Sequence, residues 1–201
     1  MKRLFLFSVL GLFFVTTVFA YTSPGKSTGH VNDFAGVLSP ETKSQLESEL
    51  RAFSVGENPE IVVATVKKLD GDPIDDYANE LFREWGIGSK TKNNGVLFLV
   101  VTNDRKMRIE VGYGLEGALT DVESKHIQDD LVRPQFRVND FSGGIITGVT
   151  SIKKALEGEL VPVQKKKRRT SAREFETYLL LGLFGISWLA SILGRSKSWW
   201  A

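Results

Sequence analysis

The chain has no cysteine. Disulfides, thiolate metal sites and cysteine nucleophiles are therefore excluded. Histidine is scarce: His30 and His126 are the only two. A multi-histidine metal centre does not fit that number, and a Ser-His-Asp triad would have to use one of the pair. A strong net charge is also missing, with 26 Lys and Arg against 24 Asp and Glu, formally +2. No global attraction to nucleic acid follows from that balance. There is no internal repeat. The chain is 201 residues long, 42% hydrophobic and 25% charged. That composition belongs to a folded globular chain, and the length suits one ordinary domain with appendages.

Both ends read as addresses. Lys2 and Arg3 precede an apolar run from Leu4, and Val18-Phe19-Ala20 places small residues where a signal peptidase reads. Residues 1–20 are thus a secretory signal peptide with cleavage after Ala20. The competing reading is an uncleaved anchor, and both export the residues next in the chain. Near the other end, Thr177 to Gly194 carries no charge. At ~1.5 Å per residue the run is ~27 Å long, close to a hydrocarbon core of ~30 Å. Trp188, Trp199 and Trp200 suit interfacial positions. A buried core helix would need a polar face, which this segment lacks, so 177–194 is expected to be a transmembrane helix. Between domain and helix lies a basic linker, residues 158–176, with Lys165 to Arg169 reading KKKRR. Export leaves that run outside and only Arg195 and Lys197 inside, against the positive-inside rule. The first segment usually dominates topology. The basic run then lies against anionic headgroups or is a solvated linker.

The middle, residues 31–157, reads as one domain after a short polar linker. Ser39 before Pro40 is an N-cap with proline at the first helical position, and Leu46, Leu50 and Phe53 recur at helical spacing. A helix over 40–53 is expected. Glu60 to Val66, EIVVATV, is short and β-branched, a buried strand. Asp72-Pro73 starts a second helix, with a stripe from Ile74 to Trp85 closed by Gly86. Val96 to Val101 is an unbroken apolar strand, TNDRK a turn, and MRIEV an alternating strand. Thr120 and Glu123 form a capping box. The helix after it reaches about Phe136 with an interruption at Pro134, and a last helix is apolar at Ile145, Val149, Ile152 and Leu156. The order αβαββαα predicts a mixed sheet covered by helices.

Gly112, Gly114 and Gly117 have the spacing G-x-G-x-x-G. A dinucleotide loop needs a strand and then glycines opening directly into a helix. Here Ala118-Leu119 separate Gly117 from the cap at Thr120, and the motif follows the hairpin strand, not the first strand. No nucleotide cofactor is expected. The glycines instead permit a tight path with positive φ. Around them Asp33, Asp104, Glu110, Glu116 and Asp121 sit at strand ends or loops, which can converge on one sheet edge. Such a cluster suits a hard cation held by oxygen ligands. Taken singly, Asp121 is explained by the helix start and Asp104 by its turn.

Several stretches in order resemble a known family: VNDFAGVLSPETKSQLESEL, DDYANELFREWGIGSKTKNNGVLFLVV, DRKMRIEVGYGLEG, LTD and RPQFRVNDFSGGI. Together they resemble the TPM domain family, also labelled a TPM phosphatase domain, over about residues 31–157. Its bacterial members are similar in layout, with signal, domain and C-terminal membrane segment, often with a glycine-rich tail that is missing here. The resemblance implies a three-layer α/β sandwich around a mixed central sheet. It implies less about activity, because plant lumenal relatives are associated with photosystem repair and acid phosphatase activity, animal relatives with receptors, and some bacterial relatives with calcium. Asp33, Asp104, Glu110 and Glu116 lie on the family pattern and are the candidate cation ligands, with calcium the candidate ion. No catalytic residue is assigned. Two functions are open. One is an exported envelope (periplasmic) module, anchored to the cytoplasmic membrane, that binds a membrane protein partner and no nucleic acid. The other is a metal-assisted phosphomonoester hydrolase with Arg105 or Arg108 facing phosphate oxygens.

Overall fold

The computed structural model describes residues 21–56 and 58–159. The expected signal peptide, the KKKRR run and the expected transmembrane helix at 177–194 lie outside the described residues. Among the described residues, no helix is long and apolar enough to cross a membrane.

The caps read from the sequence start the helices. Ser39 is extended, and its hydroxyl accepts from the Thr42 N–H at 3.1 Å, opening α1 (Pro40–Phe53) with proline in its first turn. Helix α2 (Ile74–Trp85) begins one residue later than expected. Pro73 itself is the N-cap and has no side chain to cap with, while Gly86 closes the helix in the left-handed region at φ 62°. Thr120 and Glu123 form both halves of a capping box ahead of α3 (Asp121–His126). Beyond α4 (Arg133–Arg137), Asp140 caps α5 (Phe141–Leu156) by accepting from the Gly143 N–H at 2.8 Å.

Four strands form one sheet in the order β1-β2-β3-β4: β1 (Val31–Asp33), β2 (Glu60–Val66), β3 (Gly95–Val101) and β4 (Lys106–Val111). The first three are parallel, and β4 runs antiparallel to β3, with Val101 opposite Lys106 and Leu97 opposite Glu110. Strand alternation sorts the core into two layers. Ile61, Val63, Val96, Phe98 and Ile109 face α1 and α5, whereas Val62, Ala64, Leu97 and Leu99 face α2. The result is a sheet with helices on both faces, the expected α/β mixed sheet.

The crossovers β1-α1-β2 and β2-α2-β3 step the same way across the sheet, yet their helices lie on opposite faces. They therefore have opposite hands, and one is the rare left-handed kind. Loops leaving neighbouring strand ends for opposite faces also open a crevice at the carboxyl edge.

Three details differ from the sequence reading. β1 is an extra strand; its three residues include Asn32 and Asp33, so it carries no strand signature of its own. The stretch before it is packed, not a free linker. Tyr21 donates to Glu84 at 2.6 Å and stacks edge-on against Tyr77, and the Trp85 indole donates to the Gly25 carbonyl at 2.9 Å. Pro134 does not break its helix. A π segment (Ile127–Val132) joins α3 to α4, and the Arg133 N–H bonds five residues back to Gln128. The wider turn absorbs the hydrogen bond that proline cannot make.

Candidate functional site

The four carboxylates expected to hold one cation do not form one cluster. Asp33 ends β1 at the carboxyl edge, and its oxygens accept from the Gly36, Val37 and Leu38 N–H groups at 3.0, 3.1 and 2.9 Å and from the Thr65 hydroxyl. It pins the loop leading into α1. Asp104, in the β3–β4 turn at the same edge, accepts from the Leu69 N–H at 3.3 Å. Glu110 lies four residues up β4, ~13 Å from that edge at ~3.3 Å per residue, and accepts from Asn79 and Arg108, both at 3.2 Å. Glu116 lines a cleft with Glu110. Among the described residues, no group of three His, Asp or Glu side chains could hold a metal ion. The antiparallel course of β4 is the physical reason, since it carries its acids away from the strand ends.

Cations gather instead at the carboxyl edge. A cavity of about 530 Å³ is lined by Lys67, Thr102, Asn103, Arg105 and Asn139. A smaller one, about 230 Å³, shares Arg105 and adds Met107, Arg133 and Arg137. Among the described residues, no carboxylate lines either. Arg105 and Asn139 hold φ at 52° and 62°. For arginine that conformation is strained, costing on the order of 1 kcal/mol, and such strain clusters at functional positions. The Arg105 guanidinium meets Asn139 only at 3.4 Å.

Two further clefts run beside β4, of about 390 and 480 Å³, and both are lined by Arg108, Ile109 and Asp121. In the middle, charges are paired. Arg108 lies 3.0 Å from Asp75 and 3.2 Å from Glu110. Asp129 takes Lys125 at 2.9 Å and Arg133 at 2.6 Å. Lys125 above all, then Arg133 against the opposing pull of burial, holds the Asp129 carboxyl below its ordinary range. Arg108 is therefore already engaged by carboxylates.

Each histidine faces a carboxylate. His30 Nδ1 faces Glu47 at 3.4 Å. His126 is buried and faces Asp130 at 3.0 Å. The glycine motif is not a nucleotide loop in shape, because β4 leads through a 3-10 turn (Tyr113–Leu115) to the Thr120 cap. The expected positive φ is also corrected. Gly112 has φ −66°, and Gly114 and Gly117 are not in the left-handed region either. The reason for glycine is close approach: a Cβ on Gly112 or Gly114 would meet the Asn93 or Lys92 carbonyl oxygen far inside the 3.0 Å that real Cβ atoms keep.

Lys67 and Ser124 stand on no motif, and Arg133 and Arg137, although on the family stretch RPQFR, carry no mark there as site residues. The two arginines line one cavity from α4, whereas Lys67 and Ser124 line separate ones.

The TPM domain family matches residues 31–155. No curated protein matches the chain. Among solved structures, the N-terminal domain of a P. gingivalis protein is 36% identical with a TM-score of 0.59, covering 66% of this chain and 84% of that one. The BA42 protein of Bizionia argentinensis is 21% identical with a TM-score of 0.53, covering 67% and 90%. The N-terminal domain of cg2496 from Corynebacterium glutamicum is 17% identical with a TM-score of 0.51, covering 77% and 98%. The last two likenesses concern fold alone. With the family match spanning most of the described domain and the sheet and helices in agreement, the chain belongs to the TPM domain family.

Proposed function

We propose that this chain is an exported, membrane-anchored module of the cell envelope that binds a membrane protein partner. One observation carries the reading. Three recesses are lined by successive residues of β4, with Arg105 and Arg137 in the first, the paired Arg108 and Asp129 in the second, and Glu116 and Asp121 in the third, while Lys67 and Arg105 line a fourth at the carboxyl edge. Charge that changes sign along a strand suits recognition of another chain more than turnover of a small molecule. A second reading, a metal-assisted phosphomonoesterase, has one point in its favour: the cations of the two carboxyl-edge cavities would face phosphate oxygens.

The test uses the full-length chain in two arms. Capture from detergent-solubilised membranes should enrich a partner protein, and a chromogenic phosphate ester should show no turnover above background with or without divalent metal. Metal-dependent turnover abolished by Arg105→Ala would replace the binding reading with the hydrolytic one. For topology, alkaline phosphatase fused after Glu159 should be active; a silent fusion would sink the export reading.

A further inference from the structure

We infer that the smaller cavity at the carboxyl edge binds a small carboxylic acid with an apolar body, its carboxylate on the arginines and its body on Met107 and Phe136. The inference stands apart from the binding-module reading. The cavity is about 230 Å³ and is lined by Arg105, Met107, Arg133, Phe136 and Arg137. Pockets for drug-sized ligands run from about 300 to 1,000 Å³, so a smaller molecule fits here. Arg133, Phe136 and Arg137 lie three and four apart and share one face of α4. Arg105 comes from the β3–β4 turn and Met107 from β4.

Three guanidinium groups with no carboxylate beside them in the lining leave positive charge for an anion to meet. Arg137 is exposed and has no hydrogen bond or ion pair among the described residues. Arg105 has only the 3.4 Å bond to Asn139, whereas Arg133 already shares Asp129 at 2.6 Å. Arg105 also sits in the left-handed region of its turn at φ 52°, where glycine or asparagine is at ease and arginine is strained. Strain of this kind gathers at ligand sites. The floor decides which anion. Met107 and Phe136 keep 8% and 6% of their surface exposed and line the cavity, so an apolar body can cover them. The larger cavity beside it offers the Thr102, Asn103 and Asn139 side chains to an anion that is polar all round; this one does not. A planar carboxylate lays both oxygens on a guanidinium fork. A phosphate monoester adds a third charged oxygen, and its ester oxygen falls on the side of the floor, where Met107 and Phe136 have no hydrogen to donate.

The experiment titrates the full-length chain, carrying isotope-labelled arginine, and follows the guanidinium Nε–H signals by magnetic resonance, each assigned by substitution. The probe is benzoate, with acetate, benzamide and phenyl phosphate for comparison. At low ionic strength benzoate should shift the Arg105 and Arg137 signals saturably and leave Arg51 and Arg83 unmoved. Acetate lacks the body and benzamide lacks the charge, so each should bind roughly tenfold more weakly or worse. Arg137→Ala should weaken benzoate roughly tenfold. Arg137→Lys keeps the charge without the fork and should recover only part of that loss. Arg137 is exposed and unpartnered, so the fold should survive both substitutions, which circular dichroism checks. No saturable shift at tens of millimolar benzoate, equal affinity for benzoate and acetate, or full recovery with lysine would overturn the inference. Tighter binding of phenyl phosphate than of benzoate would overturn it in favour of a phosphate site. Capture of a membrane partner by Arg137→Ala is a separate readout, so loss of this site leaves the module reading standing.

Discussion

Alanine at Gly114 tests whether the glycine motif is there for close approach. Its new Cβ would press on the Lys92 carbonyl oxygen, a main-chain atom with no rotamer to escape into. The Lys92–Asn93 turn would have to move. That endangers the Gly114 N–H bond to Asn93 at 3.1 Å and, next to it, the Gly112 N–H bond to Gly95 at 2.8 Å. Overpacking costs about 1–3 kcal/mol and one lost bond about 1 kcal/mol, so destabilisation of about 2–4 kcal/mol is expected. For a domain of this size that lowers Tm by roughly 10 °C. Gly117 is the internal control. Nothing lies within 4 Å of its added Cβ, so Gly117→Ala should be neutral or stabilising by about 0.4–1 kcal/mol through the unfolded state. Urea unfolding followed by far-UV circular dichroism separates the two as a shift in midpoint at constant slope. Equal midpoints for the two variants would refute the close-approach argument.

Asp33→Ala removes the acceptor for three backbone N–H groups and the Thr65 hydroxyl, and should cost about 2–4 kcal/mol by thermal unfolding; unchanged stability would show that the carboxylate is not the pin of the loop. Burial pushes the Glu47 carboxyl up, but hydrogen bonds from Arg51, the Val31 N–H and His30 outweigh it and leave it below its ordinary range. Its stabilisation is therefore complete above the unfolded value of about 4.3 and disappears as pH falls through the lower folded value; urea midpoints from neutral pH to about 3 should fall more for the native chain than for Glu47→Gln, and parallel profiles would refute the assignment.

Helix starts are legible because their causes are local. Ser39-Pro40 and the pair Thr120 with Glu123 satisfy N–H groups within one turn, so a few adjacent letters suffice. β1 is not legible, because Val31, Asn32 and Asp33 become a strand only by pairing with Val63, Ala64 and Thr65. The same distinction governs the site. Arg105, Glu110 and Glu116 stand on recognisable motifs, but their grouping depends on register. Lys67 leaves the end of β2 and Ser124 belongs to α3, and no spacing in the chain relates either of them to Arg133 and Arg137, which lie four apart in α4. Asp33 is open to a better reading than a cation ligand, since an aspartate three residues before a glycine is a familiar turn-former.

One turn explains why the four carboxylates part company. Had β4 entered parallel to β3, it would have ended at the same edge as β1, and Glu110 would have approached Asp33 and Asp104 near a common point. The hairpin at Thr102–Arg105 reverses the chain instead. Arg105 stays at the edge, beside the Lys67 that leaves β2 there, while each residue of β4 moves ~3.3 Å away from it. Glu110 is therefore opposite Leu97 and not beside Val101. The acids that continue past the strand, Glu116 and Asp121, lie farther still along the chain and line the cleft at that end. The direction of a single strand thus decides whether Glu110 and Glu116 can join Asp33 and Asp104 around one ion, and the antiparallel course of β4 keeps them apart.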